Sequence, residues 1–368
     1  MVSQVNGDDI RHCVVFDGRK LIIFLTAFAL PVLLSSCAGL SERDPVLQAK
    51  KALGRCDPFM GDWRGSWKLN DESDSGPLVA QVIVLGKGEY KATFLAEFDT
   101  RHEPVAVLEG RREGRVARFA GRTALGGAEI EIQGALEGGR FTGGFKGDEV
   151  GSFSMDKAIR LSPTLGAEPP PGAIVLFNGK DFGEWEHTPK KPGVGSVQWK
   201  RVGGRAMEIK KGTGSIVTKR KFADFKLHLE FRTPFMPDQR GQARGNSGVY
   251  LQGRYEVQVL DSYGLEGLDN ECGGIYKVGA PLVNMCAPPM QWQTYDITFY
   301  APRFDGTGAK TQEASVTIVH NGVTIHDKRE IPQPTGGALD DRAAEPGGIY
   351  LQDHGNPVQF RNIWLVEL

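Results

Sequence analysis

Two stretches of the chain gather the side chains that do acid–base and hydrogen-bonding chemistry. The first runs from Gly245 to Gly264 and reads GNSGVYLQGRYEVQVLDSYG. Side chains of an extended strand alternate between faces, so Glu256 and Gln258 share one face while Tyr255, Val257 and Val259 share the other. One extra residue at a bulge brings Asp261 onto the polar face as well. Asn246, Gln252 and Arg254 add donors close by. Polar groups converging on one face of a sheet suit a carbohydrate cleft with a carboxyl placed for proton transfer. The plainer reading of the same alternation is the exposed side of an ordinary amphipathic strand. The second stretch is Gly348–Trp364, where Gln352, Asp353 and His354 precede a Gly-Asn-Pro turn and Arg361 with Asn362 opens the last strand. An imidazole at a loop tip can act near neutral pH, although a solvent-exposed histidine on a hairpin looks the same. Arg361 either reaches substrate hydroxyls or caps the sheet.

The composition indicates which scaffold positions these groups. A chain of 368 residues is long enough for two domains of about 150 residues each. It carries 48 glycines and 21 prolines without a collagen period, the usage of a turn-rich β protein. With 44 Lys+Arg against 45 Asp+Glu the net charge is -1, which excludes a strong field for nucleic acid. A mean hydropathy of -0.30 argues against many membrane spans, and 40% hydrophobic residues against disorder. From Gly61 to Ile159 short alternating segments are broken by glycine-rich turns every 8–12 residues or so, predicting an antiparallel barrel or sandwich over 56–160. Trp63 and Trp67 share a strand face there, as packing residues or as a sugar platform. Residues 161–172 contain Pro169-Pro170-Pro171 and read as a linker. Residues 173–368 alternate again, with Asn321-Gly322 as the strongest hairpin signal, and predict a second all-β body.

The N-terminus is of a different kind. Arg19-Lys20 precedes an apolar run from Leu21 to Leu34, which as a helix covers about 21 Å, short of a ~30 Å hydrocarbon core. It reads as a signal peptide. Leu34-Ser35-Ser36-Cys37 resembles a bacterial lipobox, with Cys37 as the lipidated residue, and residues 38–55 then form a tether. The segment before Lys20 carries Asp8, Asp9 and Asp17, which suggests a start codon further downstream. The expectation is an exported chain, lipid-anchored to the cell envelope in the periplasm or outer membrane; Ala38 lacks the Asp that retains some lipoproteins at the inner membrane. In that oxidising compartment Cys272 and Cys286 are a disulfide candidate, with Cys56 left over. No Cys-x-x-Cys or paired-His spacing supports zinc.

At the level of motifs the second body resembles a known family. Ile174-Val175-Leu176-Phe177-Asn178-Gly179-Lys180-Asp181-Phe182 with Trp185, Asn246-Ser247-Gly248, Arg254 through Asp261, Trp292-Gln293-Thr294-Tyr295-Asp296, His320-Asn321-Gly322-Val323 and Leu351-Gln352-Asp353-His354-Gly355 resemble the 3-keto-disaccharide hydrolase family, long called domain of unknown function 1080. The match spans about residues 172–368 and leaves 56–160 unassigned. The resemblance implies a concanavalin A-like jelly-roll sandwich with a carbohydrate cleft on its concave side, and glycosides whose sugar carries a C3 ketone. Family 16 glycoside hydrolases, which share that sandwich, place Glu-x-Asp-x-(x)-Glu on a bulged strand. Here the run is Glu256-x-Gln258-x-x-Asp261. Retaining hydrolysis uses two carboxyls about 5–5.5 Å apart, and the substitution of Gln258 for the central acid suits another route.

A C3 ketone acidifies the C2 hydrogen, so a base can remove it, the C1 group can leave by elimination and water can add afterwards. On this reading His354 or Glu256 is the base. Arg254, Asn246 or a bound cation stabilises the enolate oxygen, and Asp261 orients the base or protonates the leaving group. Gln252, Gln258, Gln352, Asp353 and Arg361 complete the substrate-binding set. A divalent cation on Glu256, Asp261 and His354 is compatible with the residue types, while no cofactor is certain. The expected partners are a carbohydrate and, through the lipid, a membrane; no nucleic acid is expected. Two other readings compete: a lectin-like, non-catalytic carbohydrate-binding lipoprotein, and a surface scaffold whose first domain recruits a partner.

Overall fold

The structure is a computed structural model and describes residues 45–125, 127–188 and 196–368. The expected signal peptide, Cys37 and the first part of the tether lie outside the described residues. The rest of the tether forms helix α1 (Pro45–Cys56), with Ala49 and Leu53 buried. Eight strands follow: β1 (Gly61–Leu69), β2 (Ser75–Gly86), β3 (Glu89–Leu95), β4 (Ala106–Glu113), β5 (Val116–Leu125), β6 (Ala128–Glu137), β7 (Arg140–Lys146) and β8 (Val150–Ala158). Each pairs antiparallel with the next, and β1 pairs with β8 to close a barrel. Trp63 and Trp67 both pack within it, edge-on to Phe141 and Phe145 respectively. Helix α1 sits at the end where β1 begins. Leu53 joins Phe59 and Met60 in the barrel core, and the Asp57 carboxylate accepts the Phe59 N–H (2.8 Å) and the Tyr90 hydroxyl (2.9 Å).

The remaining strands are β9 (Ile174–Phe177), β10 (Trp185–His187), β11 (Lys200–Val202), β12 (Ala206–Glu208), β13 (Ile216–Thr218), β14 (Phe225–Arg232), β15 (Ser247–Leu251), β16 (Tyr255–Val259), β17 (Gln293–Tyr300), β18 (Arg303–Phe304), β19 (Lys310–Gln312), β20 (Ala314–His320), β21 (Val323–Ile331), β22 (Tyr350–Leu351) and β23 (Gln359–Glu367). All but β18 and β19, which pair as a separate two-stranded sheet, build a sandwich. A five-stranded sheet of order β10-β13-β22-β15-β16 faces a larger sheet of order β11-β12-β23-β14-β17-β20-β21, with β9 also on β23. Alternation places the core: Ala314, Val316, Ile318 and His320 of β20 point inward, while Ser315, Thr317 and Val319 are partly exposed. The expected Asn-Gly hairpin joins β20 to β21, with both residues in the left-handed region (φ 50° and 87°). The architecture is the all-β jelly-roll sandwich preceded by a barrel.

Barrel and sandwich meet along β2. Leu78, Ala80, Val82 and Val84 of β2 fill the barrel, whereas Ile83 belongs to the sandwich core. Around this contact Asp62 accepts hydrogen bonds from the Tyr263 hydroxyl (2.6 Å) and from Arg160 (2.8 Å). The connecting segment is pinned as well. Thr164 donates to Asp296 (2.6 Å), and the Gly166 N–H donates to Glu230 (2.6 Å), a fully buried carboxylate that also accepts from Arg361 (2.6 Å) and Asn362 (2.9 Å). Burial opposes the charge on Glu230, but His228, Arg361, Asn362 and the Gly166 amide outweigh it and hold the pKa down at about 2. Folded-state stability from Glu230 is therefore present above the ordinary carboxylate range and is lost as pH falls towards 2. Glu230→Leu removes the acceptor and strands Arg361, so urea denaturation at pH 7 should show a loss of about 3 kcal/mol. The Gly166 amide should exchange faster with solvent; unchanged exchange there would refute the pinning role.

Candidate functional site

The hairpin β15–β16 carries the candidate site on the outer face of the five-stranded sheet. Its register sets Tyr250 opposite Glu256 and Gly248 opposite Gln258, while Val249, Leu251, Val257 and Val259 face the core. On the next strand Tyr350 stacks on Tyr250 with ring centroids 4.4 Å apart. Gly248 makes room for the acid: a Cβ there would collide with a Glu256 carboxyl oxygen. With its amide oriented to satisfy the surrounding acceptors, Gln258 donates to Glu256 Oε1 (3.2 Å) and to the Ser247 carbonyl (3.0 Å). Gln352 Nε2 donates to the Tyr250 hydroxyl (3.1 Å), which donates to the Gly336 carbonyl (2.8 Å).

Glu256 is 4% exposed. Loss of hydration penalises its carboxylate and pushes the pKa up to about 8, against a smaller opposing hydrogen bond from Tyr250. Two neighbouring acceptors, Asn246 Oδ1 and Gln352 Oε1, are buried without a hydrogen-bond partner. Such atoms recruit a water or a ligand hydroxyl. Asn246 otherwise donates its amide to Gln242 (2.8 and 3.0 Å) and its backbone N–H to Asn356 Oδ1 (2.7 Å). That last bond ties the loop carrying His354 to the start of β15. His354 itself is exposed. Asp353 beside it accepts the Gly212 and Gly214 amides (3.0 Å each) and so clasps two loops together.

Of the residues expected at the site, Glu256, Gln258, Asn246 and Gln352 come together on one face. Others are engaged elsewhere. β16 ends at Val259, and Asp261 turns into a buried ion pair with Arg244 (2.6 Å), which also contacts the Val84 carbonyl of β2; it is not presented to a sugar. Arg254 is 1% exposed and spends its guanidinium on Asp340 (2.7 Å) and the Glu345 carbonyl (2.7 Å), so it does not face an enolate. Gln252 adopts φ +52° in the hairpin turn and donates to the Phe222 and Ala223 carbonyls. Arg361 lies on β23 in the opposite sheet, bound to Glu230 and stacked over Trp292. Among the described residues no three His, Cys, Asp or Glu side chains assemble into a metal-binding group, so the Glu256, Asp261 and His354 set is not formed. Cys272 and Cys286, expected as a disulfide, are free buried thiols, the first against the Tyr295 hydroxyl (3.2 Å) and the second against the Leu260 carbonyl (3.4 Å). The residues missed were Tyr250 and Gly248; the same period of two that selected Glu256 places both on its face.

Because the folded-state pKa of Glu256 lies above its ordinary value, the wild-type protein gives up stability as pH rises from about 4.5 to about 8. The penalty is at most about 4–5 kcal/mol. Glu256→Gln should therefore melt higher than wild type at pH 9 and level with it at pH 4. Equal melting temperatures at both pH values would show that the carboxyl is solvated.

The model of the 3-keto-alpha-glucoside-1,2-lyase-like domain matches residues 172–366. Among solved structures, a provisionally assigned glycosyl hydrolase from Parabacteroides distasonis ATCC 8503 is 38% identical over 54% of this chain and 84% of its own, with a TM-score of 0.48. A second protein so assigned from the same organism is 22% identical over 54% of this chain and 94% of its own, with a TM-score of 0.39. Echinococcus granulosus fatty-acid-binding protein 1 is 14% identical over 28% of this chain and 99% of its own, with a TM-score of 0.19. The comparison with curated proteins found no match.

Proposed function

The chain belongs, through residues 172–366, to the 3-keto-alpha-glucoside-1,2-lyase-like domain family, and from that premise we propose that it cleaves glycosides whose sugar carries a ketone at C3, with Glu256 taking the C2 proton. The observation that carries this reading is a desolvated carboxyl lying on a polar sheet face among Tyr250, Gln258 and Gln352. A carboxylate with a pKa of about 8 is a stronger base than an ordinary one. The burial that raises its pKa also favours the neutral acid formed when it accepts the proton.

The C3 carbonyl takes up the electron pair of the broken C2–H bond as an enolate. The enolate then collapses, expels the C1 oxygen with its aglycone and leaves a C1–C2 double bond, to which water adds later. Gln258 orients the carboxyl through its bond to Oε1. Tyr250, opposite Glu256, has its pKa raised by burial and by the Glu256 charge, so its hydroxyl keeps its proton and its bond to the Gly336 carbonyl, which fixes the ring beside the carboxyl. Asn246 Oδ1 and Gln352 Oε1 are assigned to sugar hydroxyls, and His354, exposed on the loop after β22, is assigned as the second acid–base group that protonates the departing oxygen.

Incubating the protein with a chromogenic 3-keto-glucoside and its unoxidised parent in D2O tests the scheme. Aglycone should be released from the keto compound alone, with deuterium entering C2. Glu256→Gln should lower kcat/KM by roughly 10²–10⁴-fold. Cleavage that keeps the original C2 hydrogen would sink the elimination route, and binding without release would leave a carbohydrate-binding protein. We further propose that the protein works from the cell envelope, held by lipid on Cys37 in the Leu34-Ser35-Ser36-Cys37 motif. Cys37→Ser should move it from the membrane fraction to the soluble fraction, and an unchanged distribution would rule out this anchor.

A further inference from the structure

The end of the barrel away from helix α1 holds a cavity of about 590 Å³. The α1 end is filled, with Phe141 in contact with Trp63, Phe94 and Phe119 at ring separations of 5.0–6.2 Å. At the other end two inward positions, Gly76 and Gly151, are glycine. A Cβ on Gly76 would come within 2.9 Å of Trp67 Nε1, and one on Gly151 would run into Phe145. The aromatic rings occupy the space of the missing side chains, and the room between them stays open. An eight-stranded barrel is just wide enough either to be filled by its own side chains or to hold one small ligand, and this one leaves the end away from α1 open.

The lining determines what fits. Trp67, Phe94, Ile130, Ile132, Phe145 and Phe153 make the wall apolar. Among the described lining residues, the only charges are Asp148 and Glu149 in the β7–β8 turn, both exposed at the mouth. The β1–β2 turn at the same end adds Asp71, Glu72 and Asp74, with Lys68 paired to Glu72. A carboxylate-headed amphiphile would bring like charge to that rim, whereas a cation would find opposite charge. We propose that the barrel binds a small amphiphile with an apolar body inside the cavity and a cationic head against Asp148 and Glu149, independently of the reaction at Glu256.

The full chain is titrated with the neutral fluorophore N-phenyl-1-naphthylamine, which is then displaced by decyltrimethylammonium or by decanoate, both below their micelle concentrations. The probe should brighten, and the ammonium compound should displace it at about tenfold lower concentration than the carboxylate at low salt. Asp148→Asn with Glu149→Gln, at exposed positions that do not burden folding, should reduce that preference to about threefold or less. Val105→Trp, in the loop before β4, and Ala128→Phe, at the start of β6, which fill the cavity from two sides, should abolish probe binding while the near-ultraviolet circular dichroism stays native. Absence of probe binding, equal or better displacement by decanoate, an unchanged preference in the double variant, or probe binding retained in a folded cavity-filled variant would each overturn the proposal.

Discussion

The guanidinium of Arg254 fastens the wall on which the candidate site depends. Its bonds to Asp340 and to the Glu345 carbonyl hold the 335–345 segment against the five-stranded sheet. The segment makes its other ties around the same point. Thr335 donates its N–H to the Arg254 carbonyl (2.9 Å) and accepts the Glu256 N–H on its hydroxyl (2.9 Å), the Gly336 carbonyl receives the Tyr250 hydroxyl, and Leu339 packs with Val217, Tyr250 and Tyr350. The Glu256 carboxyl is buried beside this segment, and desolvation is what moves its pKa. A buried charge pair is costly to assemble. Here it holds in place the segment packed over Tyr250 and the strand that carries Glu256.

The fold was largely legible because its signals are local. Turn-forming glycines at short intervals, alternation along each strand and the Asn321-Gly322 pair depend on neighbours in the chain, and all correspond to strands and turns in the structure. The face shared by Glu256 and Gln258 was legible by the same period of two. Asp261 was not, because parity holds only while the strand continues, and β16 stops two residues before it. Its partner Arg244 lies 17 positions away and Arg254's partner Asp340 lies 86 positions away. A charged side chain in one sequence reads as available until its distant counter-ion is known. Arg361 shows the same limit at the level of sheets, since strand order placed β23 opposite the layer that carries Glu256. The proline-rich connection has the composition of a free linker, yet Thr164 and Gly166 bind it to Asp296 and Glu230.

The polar groups of the sandwich divide into two populations. On the larger sheet His228, Glu230, Asp296, Arg361 and Asn362 satisfy one another and the segment above them. Beside Glu256, by contrast, Asn246 and Gln352 each keep an acceptor without a partner, and Glu256 carries a charge its surroundings disfavour. A closed network of this kind gives stability and specificity of packing, whereas an open acceptor is left for a water or a ligand. Unpartnered atoms also occur inside the larger sheet, at Gln293 Nε2 and His320 Nδ1, so it is the position of the first pair beside Glu256 that marks them.

Ile83 has a consequence for the independence of the two bodies. A strand that fills a barrel on one side and a sandwich core on the other cannot be withdrawn from either without opening both. The two should therefore melt in a single cooperative transition. A sandwich excised at the proline-rich segment would present an apolar scar where Ile83 had lain, beside a Tyr263 hydroxyl deprived of Asp62, and would tend to self-associate through it. The family domain is recognisable as a unit of sequence, but in this chain the unit of folding is larger.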